Sequence, residues 1–517
     1  MGFFEHIKDK LEDMGGRLKS LKNKVEDEAN DLKGCLDTEW AFLKGSENKL
    51  MTFMAGGQPM ESMPGKLEYG PILYVLNNLN ELLPEFDFVL DDLEKFLRLM
   101  GMPATSVTKV IIEGWINTLE NEGGVITDDS AIMAGNGTPK YLHTYVQLDP
   151  GWALSAIEYF QNKIQKCFGK FGTDPASITF DGTATNGKKT MTVAILGDWG
   201  TGYFRDGKKG TKLLSPPELA LNKAMELNPD ITIHLGDVYY AGTDKGFLGI
   251  WPGEEKEKLV DLWKAGTSGK TFTLNSNHEM YDGAQGYFDV ALASDLFKDQ
   301  QNTSYFSITF GDWLLLGCDS AFYDPSSLYM NGALFDPDDK TLPEGAQKQL
   351  EFIQQASKSG KHLMVMTHHT GFKEVDGRET NLLWDQMTGA RALNKKPEYW
   401  YWGHVHNGIV YNANSAAGNA TMCRCSGHAA VPFGNGYALE DEMNKPDTTL
   451  DYYAHTPLAP DDIEIPVKKK RVLNGFTMLT FTIDEATGAS SIKEDFWEVS
   501  NTASQTKIVW TKTTDFN

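Results

Sequence analysis

The sequence lacks the features of secreted disulfide-rich proteins and of membrane-spanning proteins. Its 517 residues include five cysteines, an odd and scattered set that makes a poor disulfide framework and favours a reducing compartment. Charged residues run through the N-terminus, where a signal peptide would have an apolar segment, and no stretch is long and apolar enough to cross a bilayer. We therefore expect a cytoplasmic protein with no stable membrane insertion, while export by a non-classical route stays open.

The sequence also has a deficit of positive charge, with a formal net charge of −23. Such a chain repels phosphate backbones and anionic lipid surfaces, so we expect neither nucleic-acid binding nor membrane-surface binding. A small phosphorylated substrate would be repelled at long range as well. A site for it would need strong local positive charge, which bound metal ions could provide.

The hydrophobic pattern divides the chain into two parts. Residues 1–185 show helical spacing and predict a mostly helical N-terminal domain of unknown role. Its first helix has apolar residues at alternating three- and four-residue steps, which favours packing within its own domain and leaves self-association as the alternative. From residue 190 to 517, short β-rich runs alternate with helical patterns, as in layered α/β or α+β domains.

Five segments of the second part share one layout, in which an apolar β run ends in a turn rich in metal-ligand side chains. The segments are TVAILGDWG, DITIHLGDVYY, KTFTLNSNHE, HLMVMTHH and YWYWGHVHN. Five of the eleven histidines lie in these turns. Each segment alone is a common structural pattern, but all five together predict a site at the ends of neighbouring strands. Oxygen and imidazole ligands suit iron, manganese or zinc better than calcium or magnesium.

Taken together, these segments resemble the motif set of the calcineurin-like metallophosphoesterase superfamily, in its purple acid phosphatase version: DxG, GDxxY, GNH[ED], VxxH and GHxH. Here the motifs read Asp198-Trp199-Gly200, Gly236-Asp237-Val238-Tyr239-Tyr240, Ser276-Asn277-His278-Glu279, Val365-Met366-Thr367-His368 and Gly403-His404-Val405-His406. The resemblance spans roughly residues 190 to 500. It implies a four-layer α/β/β/α sandwich with a dinuclear metal centre, beside the separate helical domain.

The resemblance also implies a set of seven metal ligands: Asp198, Tyr240 and His406 for the first ion, Asn277, His368 and His404 for the second, and Asp237 as the bridge. Most relatives have a histidine where this chain has Gly200, so the missing ligand is assigned to Tyr240. A phenolate favours a trivalent ion, which implies Fe(III) at the Tyr240 site and Fe, Zn or Mn at the second.

Four further residues receive roles near the substrate. The resemblance implies that His278 orients the phosphate and protonates the leaving group, with Glu279 holding His278 in its charged form. His369 or Arg378 would replace a substrate-binding histidine that this chain lacks, although an ordinary surface charge is the favoured interpretation of Arg378. Ser276 stands where the family has glycine, so its turn must accept a side chain, and serine does not readily adopt a positive φ.

The predicted function is therefore that of an acid-phosphatase-like phosphoric ester hydrolase, in which a dinuclear centre activates a hydroxide for in-line attack on a phosphomonoester. A phosphodiesterase or nucleotide pyrophosphatase with the same metals is the nearest alternative. A non-catalytic interaction module, binding through the helical N-terminus, is a third. Nothing in the motifs excludes the phosphodiesterase or pyrophosphatase, whereas the presence of every expected metal ligand argues against the non-catalytic module.

Overall fold

The computed structural model describes residues 159, 162, 167–202, 214–245, 253–429, 437–455, 472–500 and 506–516. Most of the predicted helical domain at 1–185 lies outside the described residues, and so does the helix considered for self-association. Among the helices that are described, none has the length and apolar character needed to cross a membrane.

The described residues form two β-sheets. The eight-stranded sheet has the order β1-β6-β7-β8-β9-β11-β10-β12, and the seven-stranded sheet has the order β15-β14-β13-β3-β4-β5, with β2 paired to β3. The strands are β1 Ala176–Thr179, β2 Thr183–Thr185, β3 Lys188–Leu196, β4 Ile231–His234, β5 Lys270–Thr273, β6 Phe306–Phe310, β7 Trp313–Gly317, β8 His362–Thr367, β9 Tyr399–Trp402, β10 Gly408–Tyr411, β11 Met422–Ser426, β12 Leu450–Tyr453, β13 Gly475–Asp484, β14 Ser490–Glu498 and β15 Lys507–Phe516.

Five α-helices accompany the sheets in the described residues: α1 Pro216–Glu226, α2 Asn277–Met280, α3 Glu344–Ser357, α4 Leu382–Thr388 and α5 Tyr437–Met443. Two π-helical segments, Glu255–Val260 and Tyr287–Ala291, and short 3₁₀ turns at Lys298–Gln300 and Ser327–Tyr329 complete the helical elements. Helix α1 begins at Ser215, whose side chain accepts a hydrogen bond from the backbone N–H of Glu218, and prolines fill its first positions.

Three hydrophobic clusters show how the layers stack. One lies between the sheets, where the ring of Phe272 on β5 stacks on that of Phe306 on β6 at 4.4 Å. The second joins the outer face of the eight-stranded sheet to α3 and α4, and the third joins the outer face of the seven-stranded sheet to α1. The order is helix, sheet, sheet, helix, which confirms the predicted layered sandwich.

The first two strands precede the predicted start of the second domain at residue 190. Strand β1 pairs in parallel with β6, and β2 pairs antiparallel with β3, so both belong to the sheets of the sandwich. The side chain of Tyr159, further upstream, is buried in the hydrophobic cluster beside α1. Residues 176–185 therefore take part in the sandwich through these two strands.

Candidate metal centre

The predicted ligand turns come together at the carboxyl ends of parallel strands. Strands β3, β4 and β5 are parallel neighbours in one sheet, and β8 and β9 are parallel neighbours in the other. Each of these strands is followed by its motif turn, and five of the turn residues are fully or almost fully buried: Asp198, Asp237, Asn277, His368 and His406. The two sheets thus bring residues as distant in sequence as 198 and 406 into one site.

Four of the predicted ligands have an unusual backbone. The φ angle is 61° at Asp198, 77° at Asp237, 66° at His404 and 48° at His406. A non-glycine residue in this left-handed region costs on the order of 1–3 kcal/mol, and such residues cluster at functional sites. The turns therefore place these side chains at the expense of backbone energy.

One cluster consists of three hydrogen-bond acceptors in mutual contact. His368 Nε2 lies 3.0 Å from Asn277 Oδ1 and 3.1 Å from His404 Nδ1, and His404 Nδ1 lies 3.1 Å from Asn277 Oδ1. The other ring nitrogen of His368 contacts Leu235 O at 2.7 Å, and that of His404 contacts Met330 O at 3.1 Å. Because carbonyls only accept, these contacts place the ring protons there and leave the inward nitrogens with lone pairs.

Three converging lone pairs repel one another unless a cation lies between them. Two ligand atoms that bind one ion at about 2.1 Å and at right angles are about 3.0 Å apart, which is the spacing of these acceptors. The amide nitrogen of Asn277 donates to Tyr281 Oη at 3.1 Å and so turns its oxygen toward the histidines. The donor set therefore fits a metal ion.

A second cluster contains Asp198, Asp237 and His406, whose ligand atoms lie within 4.8 Å of one another. Asp237 reaches both clusters: its Oδ1 is 3.2 Å from His368 Nε2, and its Oδ2 is 3.6 Å from His406 Nε2. Asp198 Oδ1 is 3.7 Å from His406 Nε2. Its Oδ2 is buried and accepts no hydrogen bond from the described residues. The carboxylate of Asp237 thus lies between the two clusters.

The two carboxyl groups differ in their electrostatic surroundings. Burial and the neighbouring carboxylate of Asp237 raise the pKa of Asp198 well above its ordinary value. Burial would also raise the pKa of Asp237, but the imidazoles of His368 and His278 outweigh it and hold that pKa well below the ordinary value. A bound cation would favour the ionised form of Asp198 as well. The two carboxyl groups therefore offer negative charge that a bound cation would neutralise.

The tyrosine at this cluster is not the one that the motif predicts. The hydroxyl of Tyr239 donates to Asp237 Oδ2 at 2.9 Å and lies 2.5 Å from His406 Nε2. The ring of Tyr240 lies beneath Lys258, with the ammonium nitrogen 5.0 Å from the ring centroid. The hydroxyl of Tyr239 is thus placed beside Asp237 and His406, where that of Tyr240 was expected.

Gly200 shows why the first motif has no histidine. A side chain at this position would put its first carbon 1.6 Å from Asp237 O, far closer than any real contact. The crowding arises because Gly200 forms a parallel bridge with Val238. In this backbone the position can hold only glycine, so a further ligand for the first cluster must come from elsewhere.

His278 and Glu279 are both fully buried, but they are arranged differently from the prediction. His278 Nδ1 lies 2.7 Å from Tyr240 O, so a backbone carbonyl orients the ring. Burial lowers the pKa of His278, whereas the carboxylate of Asp237 acts in the opposite direction. The carboxyl group of Glu279 contacts the backbone N–H of Asp237 at 3.3 Å and the hydroxyl of Ser276. Glu279 therefore contacts the backbone of Asp237 and the side chain of Ser276.

His369 and Arg378 have partners that account for their side chains. His369 Nε2 lies 2.7 Å from Tyr329 O and its Nδ1 lies 2.9 Å from Ser320 Oγ, so both ring nitrogens are engaged even though the ring is beside His368 and His404. Burial lowers the pKa of His369 to about 3. Arg378 donates to Glu442 and Asp447. Both ring nitrogens of His369 thus have contacts, and Arg378 is part of an ion-pair network.

Several functional contacts had no sequence signal. Leu235 and Met330 act through backbone carbonyls, which any residue type could provide. Tyr281, which orients Asn277, is four residues further along and could have been sought as the neighbour one helical turn away.

Comparison with known families agrees with this site. Residues 191–408 match the family model described as calcineurin-like phosphoesterase, and the match spans every predicted metal ligand. A search of curated proteins finds no match to the chain. This part of the chain is therefore similar to a family of phosphoesterases, and it contains buried histidine and aspartate groups able to bind metal.

Proposed function

We propose that this calcineurin-like phosphoesterase domain is a metal-dependent phosphomonoester hydrolase of the purple acid phosphatase type. The observation that supports it most strongly is the contact of three lone-pair atoms, on Asn277, His368 and His404, next to the shared carboxylate of Asp237. Such a group is poorly stable by itself and well suited to a cation.

In this proposal the two clusters hold one ion each. Asn277, His368 and His404 would hold the second ion, Asp198 and His406 would hold the first, and Asp237 would contribute to both. When bound, the two ions would supply Lewis-acid activation of water and neutralise charge on the phosphoryl oxygens. The donors are oxygen and imidazole groups, which suit Fe, Zn or Mn at the second position.

Tyr239 is the proposed phenol ligand of the first ion, in place of Tyr240. Its oxygen contacts the two residues assigned to that ion, Asp237 and His406. Burial and the carboxylates of Asp237 and Asp198 raise the pKa of Tyr239 well above its ordinary value. A hard trivalent cation is the kind of partner that would reverse this shift, so we assign Fe(III) to the Tyr239 position.

His278 is the proposed general acid. Its Nδ1 is held by Tyr240 O, so Nε2 is the nitrogen that would exchange a proton with the leaving group. Burial favours the neutral ring, and the negative charge of a bound phosphate would raise the pKa and favour the protonated form. His278 would then donate to the leaving oxygen as the phosphorus–oxygen bond breaks.

The matched pair Tyr239→Phe and Tyr240→Phe tests this assignment. A phenolate bound to Fe(III) gives a visible charge-transfer band, so wild-type protein loaded with iron should be coloured. Tyr239→Phe should abolish the band, and Tyr240→Phe should keep it, because each change removes one hydroxyl and retains the ring. Loss of the band in Tyr240→Phe alone would restore the motif's assignment, and an iron-loaded wild type with no band would contradict the purple acid phosphatase type.

A further inference from the structure

The hydroxyl of Ser276 connects two buried carboxyl groups. Its Oγ lies 2.5 Å from Asp237 Oδ1 and contacts Glu279 Oε2. It also accepts a hydrogen bond from the backbone N–H of His278 at 3.0 Å. Ser276, Asp237 and Glu279 have no exposed surface. Glycine, the usual residue of the motif at this position, would make none of these side-chain contacts.

The backbone of Ser276 accepts the side chain without strain. Its φ is −136° and its ψ is 179°, an extended conformation open to any residue. The positive φ that would have disfavoured serine is therefore absent at this position. The serine is compatible with the turn, and its hydroxyl reaches the metal-bridging residue of the second motif.

Asp237 is held from several directions. Glu279 accepts a hydrogen bond from its backbone N–H at 3.3 Å, Ser276 contacts Oδ1, and Tyr239 donates to Oδ2 at 2.9 Å. With a φ of 77°, Asp237 also has a left-handed backbone that its surroundings must maintain. Ser276 and Glu279 together constrain both the backbone and one carboxylate oxygen of this residue.

We propose that Ser276 and Glu279 are positioning residues that fix the carboxylate of Asp237 between the two metal sites. The inference rests on the proposed function, because Asp237 is a shared ligand only if two ions bind. It assigns to Glu279 a task different from holding His278. Outer-shell partners of metal ligands are typically worth about 10- to 100-fold in metal affinity or activity.

The test measures Zn²⁺ affinity by competition with a chelator in the full-length chain. Ser276→Ala removes the hydroxyl, and Glu279→Met removes the carboxyl group while keeping the side-chain length. Each should weaken Zn²⁺ binding about 10- to 100-fold. Because both act on one connection, the double variant should be little weaker than either single variant. Glu279→Gln should lose less affinity than Glu279→Met, since its carbonyl oxygen can take the place of Oε2 and accept from the Asp237 N–H.

Two controls distinguish the positioning of Asp237 from a folding defect and from the role of Ser276 as the N-cap of α2. Ser307→Ala changes another buried serine, whose hydroxyl donates to Ser177, and should leave Zn²⁺ affinity unchanged. Thermal unfolding of the metal-free variants checks that each one folds. If Ser276→Ala binds Zn²⁺ weakly and Glu279→Met binds it normally, Ser276 acts only as the N-cap of α2, and the proposal is overturned.

Other results of these measurements would also overturn the positioning role of Ser276 and Glu279. Additive losses in the double variant, or normal affinity in both single variants, would overturn the positioning role while leaving the proposed function intact. A Glu279→Gln variant that binds Zn²⁺ as weakly as Glu279→Met would overturn the positioning role as well. If the wild-type protein binds no Zn²⁺, the proposed function fails together with this inference.

Discussion

Two fully buried charged clusters of this molecule differ in how their charge is compensated. In one, Arg424 on β11 binds Glu494 on β14 through two hydrogen bonds of 2.8 and 3.1 Å. The hydroxyl of Tyr401 also donates to Glu494. Both oxygens of this carboxylate have partners, and the counter-charge is part of the protein.

In the other cluster, the described partners of Asp198 and Asp237 carry no fixed positive charge. They are imidazoles, a phenol, a serine hydroxyl and a backbone N–H. One oxygen of Asp198 is buried with no hydrogen-bond partner among the described residues. Burying a carboxylate costs several kcal/mol unless a counter-charge offsets the loss of hydration. The charge of Glu494 is therefore compensated within the protein, whereas the carboxyl groups of Asp198 and Asp237 require a cation from outside.

The largest effect is expected from changing the shared carboxylate. Asp237→Asn keeps the shape and tolerates the left-handed backbone, but it removes the charge. We expect the variant to lose both metal ions and to lose phosphomonoesterase activity by more than about 100-fold, the upper end for changes to residues that only support ligands. Elemental analysis measures the bound metal, and rates of p-nitrophenyl phosphate hydrolysis measure the activity.

The stability of the metal-free protein should respond in the opposite direction to a change at Asp198, whose pKa is raised by burial and by the carboxylate of Asp237. Asp198→Asn removes a buried carboxyl group with one oxygen that has no hydrogen-bond partner among the described residues, so it should leave the free energy of unfolding unchanged or raise it. A marked loss of stability without metal would mean that Asp198 is satisfied by the protein alone, and the contrast between the two clusters would disappear.

A large effect on stability alone is expected at the cluster of Arg424 and Glu494. Arg424→Met leaves Glu494 buried without its counter-charge and should cost about 3–5 kcal/mol of unfolding free energy. Denaturant unfolding measures the loss. The folded fraction should still bind two metal ions per chain, because Arg424 contacts none of the proposed ligands in the described structure.

The paired variant Arg424→Met with Glu494→Gln serves as the control. It removes both charges and keeps an acceptor for the Tyr401 hydroxyl, so it should recover much of the lost stability. If the double variant is as unstable as Arg424→Met, the loss comes from packing and not from an unpaired charge. Loss of metal from folded Arg424→Met would show that the two clusters are coupled.

Much of the sandwich could be predicted from the sequence. The runs TVAIL, ITIH and HLMVMT are apolar because their strands are covered on both faces, and a motif turn follows each of them. Period-two alternation and flanking turns are local signals, and they mark GFTMLTFTID and SIKEDFWEV, which coincide with β13 and β14 almost to the residue.

The details of the site depend on turn geometry that spacing does not encode. Motif spacing favours Tyr240, but the backbone after Asp237 brings the hydroxyl of Tyr239 to His406 instead. Glu279 was expected to hold its neighbour His278, yet its carboxyl group contacts Ser276 and the N–H of Asp237. Residues adjacent in sequence point in different directions in a short helix, so neither partner could be assigned without coordinates.

An anomalous-diffraction experiment on crystals of metal-loaded protein tests the dinuclear centre most directly. Two peaks are expected, on either side of the Asp237 carboxylate. One should lie against Asp198, Tyr239 and His406, and the other against Asn277, His368 and His404. A single peak, or none, would contradict the dinuclear centre, and a peak beside the hydroxyl of Tyr240 would contradict the assignment of the phenol.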